Sequence, residues 1–169
     1  VPDVEALGRL AQVVGAGDDS TVLTTVHRGR RAEIQVRPDR IRETLEHLRA
    51  EGYAHLMSLH GVDYYPEEPR FGIVYELLSF EEQDRVTVKV RVPLSDPHVP
   101  SVTPAWPTAS FQEREVYDMF GVVFDGHPDM RRVLMPEDYI GHPQRRDFPI
   151  GGEPVLFTGN EQQNPGWWK

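Results

Sequence analysis

Three groups of residues carry side chains capable of chemistry. The first is Glu113-Arg114-Glu115, followed by Asp118. Paired carboxylates do acid–base work when one is buried and its pKa rises. On a helix, Glu113 and Glu115 stand two positions apart and do not face each other, whereas Glu115 and Asp118, three apart, do. Arg114 and Asp118, four apart, are spaced for an ordinary ion pair. No nucleophile or Gly-rich phosphate loop stands nearby, so a structural or interface ion-pair role is favoured over catalysis. The second group is histidine. His127 and Asp129 are spaced to ligate a metal, with His142 or His98 as a third ligand. His127 and His142 both precede proline, which favours extended backbone. That points to a surface or hydrogen-bonded loop histidine, not to a metal-binding helix. The third group is arginine: Arg131-Arg132 and Arg145-Arg146, concentrated in an acidic chain. The guanidinium fork matches carboxylates bidentately. In a region with little regular structure, that composition favours partner contact over a solvated patch. P-loop, dinucleotide and nucleophile-elbow patterns are missing.

The rest of the composition narrows the classes further. The chain has 169 residues, 38% hydrophobic and 27% charged, enough apolar material for one folded domain plus extended chain. Its formal net charge of -9 opposes phosphate backbones and anionic lipid headgroups, so nucleic acid is not an expected partner. No apolar run approaches the roughly 20 residues needed to span a bilayer. Nothing near Val1 reads as a signal peptide, and without Met there the N-terminus is expected either to be trimmed or to continue upstream. There is no cysteine. Disulfides and thiolate ligands for iron–sulfur clusters or zinc are therefore unavailable, and any part in electron transfer is indirect.

The elements that must position these side chains can be read from periodicity. Residues 3–14 form a helical stripe of Val4, Leu7, Leu10, Ala11 and Val14. Residues 21–27 alternate, with Val22, Thr24 and Val26 on one face, and turn at Arg28-Gly29 into alternating Ala32, Ile34 and Val36. Pro38 opens a helix bearing Ile41, Leu45 and Leu48, and Gly52 stops it. Strands follow at 53–62, at 71–79 (apolar on both faces, hence central) and at 85–92, with 81–84 as a hairpin loop between the last two. Thr103-Pro104 caps a helix running to Phe120 and ended by Gly121. From Val122 onward periodicity is nearly lost. Residues 160–169 are polar apart from Trp167-Trp168. That end reads either as disordered or as a segment that orders on a partner through Phe157, Trp167 and Trp168. The fold class is α+β: a largely antiparallel sheet with helices mainly on one face, plus an irregular extended C-terminal segment. Three regions result: a sheet domain over 1–96, a linker and charged helix over 97–121, and an irregular extension over 122–169.

Residues 113–122, Glu-Arg-Glu-Val-Tyr-Asp-Met-Phe-Gly-Val, closely resemble the signature of the C-subunit family of respiratory complex I. The match continues through Phe124, Gly126-His127-Pro128-Asp129, Arg131-Arg132-Val133-Leu134-Met135-Pro136, Gly141-His142-Pro143 and Arg145-Arg146-Asp147-Phe148-Pro149. The family pattern usually has Lys where this chain has Arg146. The resemblance is dense over 113–149, weaker over the preceding domain and absent after Pro154.

It implies membership of the hydrophilic arm of a proton-translocating NADH–quinone oxidoreductase, or of a related membrane-bound hydrogenase or other-donor dehydrogenase. A small stand-alone acid–base enzyme is the remaining reading. The resemblance further implies a seat on the D subunit, which carries the quinone site, with the B and I subunits nearby. As part of that complex, this chain would lie peripherally at the cytoplasmic face of the bacterial cell membrane, attached through other subunits only. FMN and the iron–sulfur clusters would sit on those other subunits, leaving this chain cofactor-free and non-catalytic. The expected docking residues are Glu113, Arg114, Glu115, Asp118, Arg131, Arg132, Arg145, Arg146 and Asp147. They would hold the irregular segment against the helix and against the quinone-site D subunit, so Arg131→Ala should lower assembly more than turnover.

Overall fold

A computed structural model describes residues 2–16, 18, 20–29 and 31–149. Helix α1 (Val4–Val14) starts where the Asp3 carboxylate accepts the N–H of Ala6 at 2.8 Å. It buries Leu7, Leu10 and Val14. Val4, though on the same stripe, is 68% exposed in the first turn.

Strands β1 (Val22–Arg28) and β2 (Arg31–Val36) form the expected hairpin, with Gly29 at φ +56° in the turn. The faces of β1 differ from the expected alternation. Val22 pairs with Val36 but Thr24 pairs with Gln35, so Leu23 is an extra, bulged residue. The bulge moves Thr24 and Val26 opposite Gln35 and Glu33, away from the core face, and puts Thr25 and His27 opposite Ile34 and Ala32.

A 3-10 turn at Pro38–Arg40 leads into α2 (Ile41–Ala50), which buries Ile41, Thr44, Leu45 and Leu48. Strands β3 (His55–Asp63), β4 (Phe71–Ser79) and β5 (Asp84–Val92) then form a meander. The sheet order is β1-β2-β5-β4-β3, so β5, and not β4, is the middle strand. Three of the four pairings are antiparallel, and β2–β5 is parallel. The parallel pair follows from α2. This helix carries the chain across to the far edge, and the meander folds back to fill the gap.

The inner sheet face bears Ile34, Val36, Ile73, Tyr75, Leu77, Val88 and Val90, all buried in one core with the helices. The outer face shows Glu33, Gln35, Thr87, Lys89, Glu76 and His60, which is the polar half of the same alternation.

Helix α3 (Ala109–Phe120) starts later than the Thr103-Pro104 cap implies. The Thr103 hydroxyl and the Val102 N–H are instead donated to Glu113, a full turn inside the helix. Pro107 also holds Trp106 away from helical geometry. Two three-residue strands, β6 (His98–Pro100) and β7 (Val123–Asp125), pair in parallel on either side of α3. Each is too short to show in the sequence, and β6 ends on Pro100. α3 lies on the inner face of β3 at Gly61. A Cβ there would stand 2.6 Å from the Phe120 ring and 3.2 Å from Val116, so the helix's close approach needs glycine.

Candidate docking site at the end of helix α3

Residues 126–149 carry no helix or strand and run as a strap over the C-terminal end of α3. Asp118 is the hub. Its side chain is fully buried. Oδ2 accepts the N–H groups of Val133, Leu134 and Met135 at 3.0, 2.8 and 2.8 Å. Oδ1 takes Nη1 of Arg132 at 2.6 Å. Three consecutive N–H groups thus form a concave anion nest, and the anion is the chain's own. Burial pushes the Asp118 carboxyl up, but those N–H groups and Arg132 together hold it below its ordinary value.

The same strap satisfies the end of the helix. An α-helix leaves its last four carbonyls without intrahelical donors. Here Tyr117 O accepts from Gly121 N, and Asp118 O lies 3.0 Å from Nδ1 of His142. Met119 O accepts from Gln144 N at 3.2 Å, and Phe120 O from Nε of Arg145 at 2.7 Å. A carbonyl only accepts, so the geometry assigns the His142 proton to Nδ1. Burial holds His142 below its usual value. Arg132 and Arg145 also place positive charge at the negative end of the helix dipole. Gly121, at φ +78°, lets this happen: a Cβ there would meet the side chains of Arg145 and His142.

A second clamp holds the far end of the strap. Arg70, at the foot of β4, is buried with 3% of its side chain exposed. It reaches Asp63 through Nε and Nη2 at 2.9 and 2.8 Å. It reaches Asp147 through Nη1 and Nη2 at 2.8 and 2.6 Å. Arg146 donates its backbone N–H to Asp63 at 2.8 Å. Arg70 holds the Asp63 carboxyl far below the ordinary carboxylate range, helped by the N–H groups of Arg146 and Tyr65. Arg70 also holds Asp147 below its usual value. The Arg70 and Arg145 guanidinium groups each lie 5.1 Å from the centroid of the Phe71 ring.

The residues singled out from the sequence therefore divide. Asp118, Arg132, Arg145, Arg146 and Asp147 all join strap to domain. Arg114 does so too, but it grips the carbonyls of Arg131 and Arg132 at 3.0 Å each and makes no pair with Asp118, whose oxygens are already taken. Arg131 contributes its backbone only. Its guanidinium is 64% exposed on Asp129, which moves the expected assembly defect from Arg131 to Arg132 and Asp118. Glu115 is exposed, with no partner among the described residues. Glu113 points the other way, into the core. Arg70 and Asp63 are the clamp residues that sequence reading missed. They lie about 80 positions before their strap partners Asp147 and Arg146, and nothing local marks them.

The histidines do not converge. His98 lies 2.9 Å from Asp125, His142 caps α3, and His127 lies beside Ser110. No group of three His, Asp or Glu side chains suited to a metal occurs among the described residues.

Glu113 is fully buried. Oε2 accepts from Ser101 at 2.7 Å and from Thr103 at 3.1 Å, and Oε1 accepts from Val102 N at 2.8 Å. The nearest basic atom is Nε2 of buried His127, at 4.0 Å. His127 Nδ1 accepts the N–H of Asp129, and Nε2 faces the Ser110 carbonyl, so the network assigns the ring proton to Nε2. Burial pushes the Glu113 carboxyl above its ordinary value of 4.5, against its three donors and His127.

A raised carboxyl favours folding below its unfolded pKa, and that contribution is lost as pH rises through the folded value. Glu113→Gln removes this loss. The thermal midpoint of the variant relative to the parent should rise as pH increases above 4.5, followed by circular dichroism. A pH-independent difference would contradict the assignment.

The model of the family "Respiratory-chain NADH dehydrogenase, 30 Kd subunit" matches residues 34–154. The C subunit of the NADH-quinone oxidoreductase of Roseiflexus castenholzii is 46% identical over 157 residues, covering 91% of this chain and 90% of that protein. Among solved structures, the trypsin-resistant fragment (1–134) of Nqo5 superposes with a TM-score of 0.64 at 36% identity, over 73% of this chain and 98% of the fragment. A chain of an archaeal respiratory membrane complex, the membrane-bound sulfane sulfur reductase, superposes with a TM-score of 0.71 at 28% identity, over 85% of each. Matched in sequence and in fold over most of its length, this chain belongs to the respiratory-chain NADH dehydrogenase 30 Kd subunit family.

Proposed function

We propose that this chain acts as a cofactor-free docking and assembly subunit in the hydrophilic arm of a proton-translocating NADH–quinone oxidoreductase. In this reading it seats on the quinone-site D subunit, near the B and I subunits, at the cytoplasmic face of the cell membrane. FMN and iron–sulfur clusters belong to other subunits, and no catalytic step falls on this chain.

One observation carries the reading. The charged groups of the strap are largely consumed within the chain, while apolar side chains face outward. Leu134 is 60% and Ile140 91% exposed, and Phe111 on the outer face of α3 is 66% exposed. A segment clamped in place by buried ion pairs and showing apolar side chains is built to meet a protein surface. The zero cysteine count supports electron chemistry elsewhere. No described helix is long and apolar enough to cross a membrane, which supports attachment through other subunits. The equivalent place in a related respiratory membrane complex of other chemistry is the second reading, supported by the 28% identical chain of the sulfane sulfur reductase.

The test is purification of the tagged chain from host membranes in mild detergent. Cysteine-rich and polytopic subunits should accompany it, with NADH–quinone activity in the assembly and none in the isolated chain. A monodisperse chain, active by itself, would overturn the reading.

A further inference from the structure

The docking reading leaves open which atoms meet the partner and what receives them. We propose that the turn at 136–141 is an insertion element: Ile140 seats in an apolar pocket of a neighbouring subunit whose rim carries Lys or Arg, facing Glu137 and Asp138. This rests on the docking reading.

Single exposed apolar residues are ordinary on protein surfaces. Ile140 differs in how it is held. Its neighbour Tyr139 stacks on Phe148, with ring centroids 6.4 Å apart and planes 23° apart. The Arg132 guanidinium lies 5.8 Å from the Tyr139 ring centroid. Arg132 Nη2 donates to Gly141 O at 2.9 Å. Tyr139 N donates to Pro136 O at 3.1 Å, closing the turn. Gly141 has φ +97°, and a Cβ there would stand 2.9 Å from the Phe148 ring, so the backbone next to Ile140 is pressed onto the strap.

The residues on both sides of Ile140 are therefore fixed from beneath, while Ile140 itself is 91% exposed. A preorganised apolar side chain loses little further freedom on binding, which is how anchor residues gain affinity. Arg132 is also the cation bound to Asp118, so the clamp on α3 and the support of the turn share one side chain.

Charge defines the pocket. Glu137 is 79% exposed, and Arg131 reaches it only at 3.9 Å. Asp138 is exposed beside it. An apolar tip with two acids on its approach is complemented by an apolar pocket with a basic rim, since an acidic rim would repel it.

The experiment uses the assembled complex. Ile140 is replaced by the photo-reactive p-benzoylphenylalanine, the purified complex is irradiated, and the adduct is mapped by mass spectrometry. The expected result is one adduct, on a segment of another subunit with Lys or Arg within a few residues. Ile140→Asp should lower the yield of assembled complex about tenfold, a fold-change in the range of an interface anchor, and Ile140→Leu should restore it. Circular dichroism of the Ile140→Asp chain should match the parent, because the side chain touches little. An adduct to a second copy of this chain, to lipid or detergent, or to nothing would overturn the proposal. So would a normal yield with Ile140→Asp. If the chain still co-purifies with the complex in that case, the docking reading stands without this element. If it never co-purifies, both fall.

Discussion

Asp118→Ala frees the front of the strap from helix α3 and destabilises the chain by about 3–5 kcal/mol, the range for breaking a buried ion pair on one side. The Asp118 side chain is fully buried, and the Arg132 side chain is only 13% exposed. The substitution leaves that guanidinium facing α3 without its anion. It also leaves the N–H groups of Val133, Leu134 and Met135 without acceptors. Asp118→Asn rescues little. Its one oxygen can serve the three N–H groups or Arg132, and its amide group then faces donors at the other position. Urea unfolding measures the loss. Limited trypsin digestion locates it, with new cleavage at Arg132 and little change within the sheet. A loss below about 1 kcal/mol, typical of an exposed pair, would show that the nest is not what holds the strap.

The pH dependence follows from the same geometry. The Asp118 carboxyl is held below its ordinary value of 3.8, so its contribution is present above that value. It disappears as pH falls through the lowered one. Glu113, five residues earlier on the same helix, has the opposite sign. One carboxylate faces a charged strap and is most useful ionised, while the other faces neutral hydroxyls and is most stable protonated. Acid–base chemistry requires such divergence, but here the two groups occupy opposite sides of α3 and share no cleft.

Much of the sheet was legible because burial on one face imposes a period of two. Val86, Val88, Val90 and Val92 mark β5 with no outside information. Helices α1 and α2 follow from their stripes in the same way. The bulge at Leu23 was not legible, because an extra residue costs a half-buried edge strand little and leaves no local signal. The start of α3 was misplaced because Thr103 looks like a cap, whereas its hydroxyl serves a carboxylate ten residues away. The parallel β2–β5 contact depends on where α2 delivers the chain, and hairpin signals do not encode that. At the candidate site, the signature over 113–149 marks the charged segment. It could not say which charges point inward, because partners such as Arg70 and Asp147 are joined only by the folded chain.

Arg70→Met should be nearly as damaging as Asp118→Ala, at about 3–5 kcal/mol, because it strands Asp63. The Asp63 side chain is 2% exposed, and without Arg70 it keeps only the N–H groups of Tyr65 and Arg146. Asp147, on the other prong, has 45% of its side chain exposed. Solvent takes over there when Arg70 is lost, and Asp147→Asn should cost no more than about 1 kcal/mol. Arg70→Lys should fail to rescue, since an ammonium cannot present two planar forks to two carboxylates. Arg70→Met combined with Asp63→Leu should recover part of the loss, because the stranded charge is then gone. The contribution of Asp63 is present above its ordinary value of 3.8, because its folded pKa is depressed. Acid removes it as pH falls through the depressed value. Urea unfolding of the four variants tests the ordering, and equal losses for Arg70→Met and Asp147→Asn would contradict it. The consequence for assembly differs from that of Asp118. Arg70→Met loosens 145–147 at the sheet end while leaving the Asp118 nest intact, so the strap stays attached at its front. If docking needs both clamps, each variant lowers the yield of assembled complex while turnover per assembled complex is unchanged. A variant that assembles normally but turns over slowly would place chemistry on this chain after all.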